Sequence, residues 1–264
     1  MDNNKSLTSI DLSNVPEKLY DDVRQTVQEL SKTGTIILKA LNGILSSLQI
    51  WTLKKEYNVK EVAFMLDQKL QNLPPEKIID PEPYVAVPAL QAISYCMDSV
   101  ELRNMFANLL ANSMNVDVKS IVHPSFTEII KQMSPIDAQV LRVFSVRSDQ
   151  PIANYQIKHD NGSFITAYPN VFLECTEVEI PMATLSIDNL NRLGLIDITY
   201  SYSIADDIYY SKFKEDSFFA TLNNTIINTP QFKNQMTYIQ KGIARTTTLG
   251  DRFIQICLNA PVLS

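Results

Sequence analysis

Glycine is scarce in this chain of 264 residues, numbering only six. Phosphate-cradling loops are built from closely spaced glycines, and no P-loop, Rossmann fingerprint or Gly-x-Ser-x-Gly elbow occurs. Histidine is scarcer still. His123 and His159 stand alone, without a Cys, His or carboxylate at ligand spacing, so no metal site is expected. The three cysteines, Cys96, Cys175 and Cys257, are widely separated and odd in number, which argues against a disulfide framework. The opening Met1-Asp2-Asn3-Asn4-Lys5 has no basic region followed by an apolar run, so no secretory signal is expected. The expectation is a cytoplasmic protein with reduced thiols and no cofactor; no catalytic constellation is recognised, and the chain is read as a non-enzyme, with an enzyme of unrecognised type as the residual alternative.

A basic surplus is also missing. Lys plus Arg total 23 against 29 Asp plus Glu, a net charge of −6. From Met133 onward ten bases face thirteen acids, a net of −3. Phosphate contacts supply most nonspecific affinity for nucleic acid and each needs a cation, so a DNA partner is not expected and a winged-helix DNA-binding regulator stands only as an alternative.

Apolar residues are plentiful, at 45%, and the length allows one large or two ordinary domains with cores of their own. Residues 1–15 are polar and read as loose. Pro16 suits the first turn of a helix through Leu19, Val23, Val27 and Leu30. After Gly34 comes the most apolar stretch, Thr35 to Leu53, whose only charge is Lys39. Its broad face carries Ile37, Leu41, Ile44, Leu48 and Trp51, against a narrow stripe of Lys39, Asn42, Ser46 and Gln49. Two readings stay open for that face. It is the core side of a buried bundle helix, or a surface that embeds at the periphery of the inner membrane on activation. The helix is predicted to run on to Leu73, where Pro74-Pro75 stops it.

Five prolines between 74 and 88 predict an extended connector. Beyond Pro88 a helix is expected to Met97, and another from Val100 to Met114 capped by Asp98 or Ser99. On the second, Asn104, Asn108 and Asn112 recur every four residues opposite Leu102, Phe106 and Leu109. They line an internal polar groove or face solvent. His123 precedes Ser125-x-x-Glu128, the spacing of a capping box, where an imidazole either satisfies backbone or serves an interaction site.

Ser134-Pro135-Ile136-Asp137 is a clear helix start and marks the expected domain boundary. Further on, a helix from about Pro181 presents Met182, Leu185, Leu190 and Leu193. Gly194 is placed to end it, and Leu195–Tyr200 alternates as a strand. Met236–Thr247 reads as a returning strand, and Leu249-Gly250-Asp251 opens a last helix. The predicted fold is therefore mainly α with a small β component. A helical domain over 1–132 is followed by a winged-helix-like α+β domain over 133–264, with an insertion at about 203–235.

Four strings carry a resemblance. One is Leu-Arg-Asn-Met-Phe-Ala-Asn-Leu-Leu-Ala-Asn-Ser-Met from Leu102 to Met114. Another is His-Pro-Ser-Phe-Thr-Glu-Ile-Ile-Lys-Gln-Met-Ser-Pro from His123 to Pro135. The remaining two are Leu190–Ile196 and Leu249–Phe253. Together they resemble the abortive infection alpha (Abi-alpha) family over about Thr33 to Cys257. The resemblance implies a bacterial phage-defence role, in which infected cells die or stop growing before phage is released. It brings no catalytic residues. A host or phage protein is the partner this implies, with a homo-oligomer left open.

Overall fold

A computed structural model describes residues 31–47, 59–96, 98–232 and 235–259. It is mainly helical, with one small antiparallel sheet of four strands. Helix α1 (Lys32–Ser47) packs against α2 (Val59–Leu70), burying Ile37, Leu38, Leu41 and Ile44 with Val62, Ala63, Leu66 and Leu70. The Ser31 hydroxyl donates to the Asp67 carboxylate, so the start of α1 lies beside the end of α2. One uninterrupted helix would hold these residues about 54 Å apart at 1.5 Å per residue. The single helix expected to reach Leu73 is therefore two helices packed on each other. Leu48, Trp51, residues 1–15 and the helix expected from Pro16 lie outside the described residues.

The proline-rich connector is pinned rather than merely extended. After a 3-10 turn at Pro75–Lys77, Ile78 bridges to Asn115, and the Ile79 N–H donates to the Met114 carbonyl at 2.9 Å. Helix α3 (Pro83–Tyr95) starts before Pro88, which sits inside it. Pro83 supplies the favourable first-turn proline, and the only helical acceptor Pro88 leaves unused is the carbonyl of Tyr84, an exposed residue. Ser99 caps α4 (Val100–Ser113), accepting from the Leu102 N–H. The capping box expected at Ser125 is absent. Ser125 lies inside the first turn of α5 (Ser125–Lys131), and Glu128 turns to Lys131. The complete box is one helix later. Ser134 and Asp137 exchange hydrogen bonds at the start of α6 (Pro135–Val146), with Pro135 in the first turn.

Two unforeseen strands follow, β1 (Asp149–Lys158) and β2 (Phe164–Val171). Helix α7 (Ile180–Arg192) ends at Gly194, whose φ of +72° is the left-handed geometry that closes a helix; the Leu195 N–H reaches back to the Leu190 carbonyl. Strand β3 (Ile196–Thr199) comes next. The expected insertion holds two helices, α8 (Ile208–Glu215) and α9 (Ser217–Asn228), before β4 (Met236–Thr246) and α10 (Thr248–Phe253). The strand order is β2-β1-β4-β3, all antiparallel.

The two faces of β1 separate two cores. Ile152 joins a large cluster running from Ile37 to Leu258, with members on both sides of residue 133. Ala153 and Tyr155 face the other way, onto Tyr210, Phe213, Leu222 and Ile226 of α8 and α9. Tyr155 is fully buried, and its hydroxyl donates to Asp216, the residue that caps α9. Burial first, and the neighbouring Asp216 charge second, push this phenol up, which keeps it a donor. The insertion is thus held to the sheet by a packed aromatic cluster with several polar anchors, among them the Tyr210 hydroxyl donating to the Gly242 carbonyl at 2.7 Å.

Candidate functional site

The asparagine ladder on α4 divides. Asn104 is exposed, whereas Asn108 and Asn112 are 4% and 0% exposed. Their side-chain amides donate to the carbonyls of Cys257 at 2.9 Å and Ile256 at 2.8 Å. Those carbonyls belong to a single π turn, Ile254–Leu258, that continues α10. A helix terminus leaves carbonyls without intrahelical partners, and the two amides satisfy a pair of them from 144 and 149 residues away. The Oδ1 atoms of both asparagines are buried without a partner among the described residues. The ladder is a clamp between α4 and the C-terminal turn.

His123 is exposed beside this region. Its Nδ1 accepts the Ser125 N–H at 3.1 Å and lies 2.7 Å from the Ser125 hydroxyl, which ties the imidazole to local backbone. The thiols are not poised as nucleophiles. Burial pushes Cys257 well up, and pushes Cys96 and Cys175 up as well. Among the described residues no group of three or more Cys, His, Asp or Glu is placed to hold a metal ion.

Of the apolar face on α1, Ile37 and Leu41 are 0% exposed and Ile44 is 8% exposed. Releasing three such side chains costs on the order of 5–9 kcal/mol, comparable with the whole stability of an ordinary domain. No helix among the described residues is long and apolar enough to cross a membrane.

The better candidate for a working surface is the outer side of α7. Between α7 and the turn joining α5 to α6 runs a groove of about 740 Å3, lined by Met133, Ile136, Met182, Leu185 and Arg192 among others. Leu185 is 61% exposed and Met182 41%, so apolar side chains of the helix point outward. A polar network fixes its floor. Asp137, 4% exposed, accepts from the Ser134 N–H at 2.6 Å and from Asn189 Nδ2 at 2.9 Å. Arg192 donates in turn to Asn189 Oδ1 and Gln132 Oε1. The sequence groups Met182 and Leu185 with Leu190 and Leu193 on this helix, and the structure divides them, with Leu190 buried and Met182 and Leu185 outward. The available signal was the pair Ala183 and Ile187, which with Leu190 gives the buried stripe of this helix.

Two close approaches hold α7 in place. The Thr247 hydroxyl donates to the Gly194 carbonyl at 2.6 Å, and the Thr247 N–H to the Leu195 carbonyl at 3.0 Å. The Leu-Gly-Leu-Ile and Leu-Gly strings of the sequence therefore meet in one joint. Beneath α7, the Tyr200 ring lies over Gly242 and its hydroxyl donates to Asn170 Oδ1 at 2.8 Å. Asn170, at φ +54°, donates onward through Nδ2 to Asp188 of α7 at 2.7 Å. A Cβ on Gly242 would stand 2.6 Å from the Tyr200 ring and 2.7 Å from the Thr199 carbonyl. Gly242→Ala is expected to displace Tyr200 and destabilise by roughly 1–3 kcal/mol. Chemical denaturation of variant and parent measures it, and equal midpoints would show that neither the Tyr200 ring nor the Thr199 carbonyl closes on Gly242 in solution.

No curated protein and no solved structure matches the chain. A family model does, that of abortive infection alpha, and it covers residues 54–257, a span that contains α4, the clamped π turn up to Cys257 and the whole sheet. The chain belongs to the abortive infection alpha family.

Proposed function

We propose that this protein limits phage by abortive infection, and that it acts by contact with another protein rather than by catalysis. The family match carries the role. The groove beside α7 supports the mechanism, because outward Met182 and Leu185 over a fixed polar floor suit a protein partner. From α7 onward, the helix, β3, the insertion, the returning β4 and α10 follow the order of a winged helix with α7 as its recognition helix, and the unforeseen β1 and β2 stand between α6 and α7. Its outer side bears Asp188 beside Arg192, so an acidic winged helix reads as a protein-docking module, not a DNA reader. The helices before Met133, which share one core with the residues after it, sense or sequester the phage component. Protein contact in the cytoplasm is preferred over membrane action because the α1 face is occupied by core packing.

Isogenic cells with and without the gene, challenged with a phage panel, test the role. Fewer plaques with unchanged or greater death of infected cells is the expected result. Leu185→Lys, which adds a charge at an exposed site, is expected to leave the melting temperature within about 2 °C of the parent and to abolish protection. Absence of protection by the parent protein against every phage would remove the defence role. Full protection by the Leu185→Lys variant would remove the α7 surface from it.

A further inference from the structure

At the C-terminal end of the α7 groove stands a cation whose charge no neighbouring acid meets. A guanidinium has five N–H donors. Arg192 commits three of them, Nε at 3.1 Å and Nη2 at 2.8 Å to Asn189 Oδ1, and Nη1 at 3.1 Å to Gln132 Oε1. Both acceptors are neutral amides, so the side chain is held in one pose while its charge stays unpaired. The other charged residues lining the groove are engaged. Lys131 pairs with Glu128 at 2.9 Å, Asp137 accepts from Ser134 and Asn189, and Asp188 accepts from Asn170. Arg192 keeps one donor on each terminal nitrogen, in the same groove as the outward Met182 and Leu185.

We propose that the partner presents an amphipathic helix to this groove, with an apolar side chain against Leu185 and a carboxylate on Arg192; this rests on the reading of α7 as a protein-docking surface. Leu185 and Arg192 are seven residues apart on α7, about 10 Å along its axis at 1.5 Å per residue. A second helix lying along α7 meets both when its apolar residue and its acid are two turns apart on one face. The wall of the groove is itself a helix, whose main-chain groups are paired internally, so an added strand would find nothing to bond and recognition passes through side chains. A fixed guanidinium with a donor on each terminal nitrogen suits a carboxylate, and its pose removes part of the ordering cost of binding. Asp188, exposed one turn before Arg192, repels the second charge of a phosphate more than the single charge of a carboxylate.

Panning a displayed library of random peptides, roughly 16 residues long, on the immobilised full chain tests this, a length of about four helical turns. The expected sequences carry Asp or Glu seven residues from a Leu, Ile, Met or Phe. Their synthetic peptides are expected to bind Leu185→Lys and Arg192→Gln about tenfold more weakly than the parent, the equivalent of one charge-assisted hydrogen bond or more. Ile227→Lys, at a residue 71% exposed on α9, is expected to bind as the parent does. Replacing the acid of the peptide by its amide is expected to weaken binding to the parent and leave binding to Arg192→Gln unchanged, a coupling that a merely structural role of Arg192 would not produce. Peptides that depend on Leu185 but carry no acid, or that bind Arg192→Gln as tightly as the parent, would overturn the carboxylate and leave the docking surface standing. If no selected peptide depends on Leu185, the docking surface itself falls, and the carboxylate with it.

Discussion

Gly250→Ala is expected to lower the melting temperature by roughly 6–12 °C, the equivalent of about 3 kcal/mol in a chain of this size. A methyl group at Gly250 would stand 1.9 Å from the Leu195 carbonyl oxygen and 2.9 Å from its carbon. The obstacle is backbone, so no rotamer change relieves it. Neither side of the joint is free to retreat. Leu195 follows the left-handed Gly194 that ends α7, and its carbonyl already accepts the Thr247 N–H at 3.0 Å. Thr247 also caps α10 through the Gly250 N–H, so moving Gly250 away costs the cap as well. Gly43→Ala supplies the control. Nothing lies within 4 Å of its added methyl, and the site is inside α1, where alanine is expected to stabilise by about 0.5–1 kcal/mol. Thermal unfolding followed by circular dichroism separates the two signs. A Gly250→Ala protein that melts with the parent would mean that α10 does not sit against Leu195 in solution.

That joint is half legible in the sequence. Gly194 after a periodic helix, with an alternating run behind it, specifies a helix end and a strand by local chemistry alone, and β3 lies where those signals put it. The capping box at Ser134 and the alternation of Met236–Thr246 are equally local. What stayed hidden depends on distant partners. Strand β1 contains Pro151, Asn154 and Gln156, a composition that reads as loop, yet all three are buried. Their polarity is absorbed across strands. Gln240 accepts from both Asn154 and Gln156, and Gln156 also donates to Thr166 on β2. The hairpin of α1 and α2 was hidden for another reason. An apolar stripe reports that a helix is buried, not that it turns back upon its successor.

Candidate residues followed the same division. The fourfold spacing of Asn104, Asn108 and Asn112 correctly put them along one helical direction, but periodicity carries no information about which turns face another element. The partners of Asn108 and Asn112 are main-chain carbonyls in the π turn Ile254–Leu258, and carbonyls have no sequence signature. On α7, Met182 and Leu185 are apolar and outward, so an apolar-inward rule misassigns them.

The clamp on the π turn gives the second large effect, and one with a distinctive pH dependence. Asn112→Asp preserves shape while replacing the amide donor with a carboxyl group. At neutral pH the ionised form would be 0% exposed and face the Ile256 carbonyl oxygen, with no cation among its observed partners. An uncompensated buried charge of this kind costs about 3–5 kcal/mol. Both burial and the facing carbonyl disfavour the anion, so the folded-state pKa of the new group lies above the value of about 3.9 in the unfolded chain. Folding therefore binds a proton more tightly. The variant holds its greatest relative stability below about pH 4, where the neutral acid can donate to Ile256 as the amide did, and loses it as pH rises through the folded-state pKa. Asn112→Leu isolates the charge. It leaves the Ile256 carbonyl unpaired, a cost of about 1–3 kcal/mol, with no titrating group to make that cost vary with pH. Urea unfolding of parent and both variants at acidic and neutral pH measures the differences directly. If the gap between parent and Asn112→Asp is the same at both pH values, Asn112 does not face the turn.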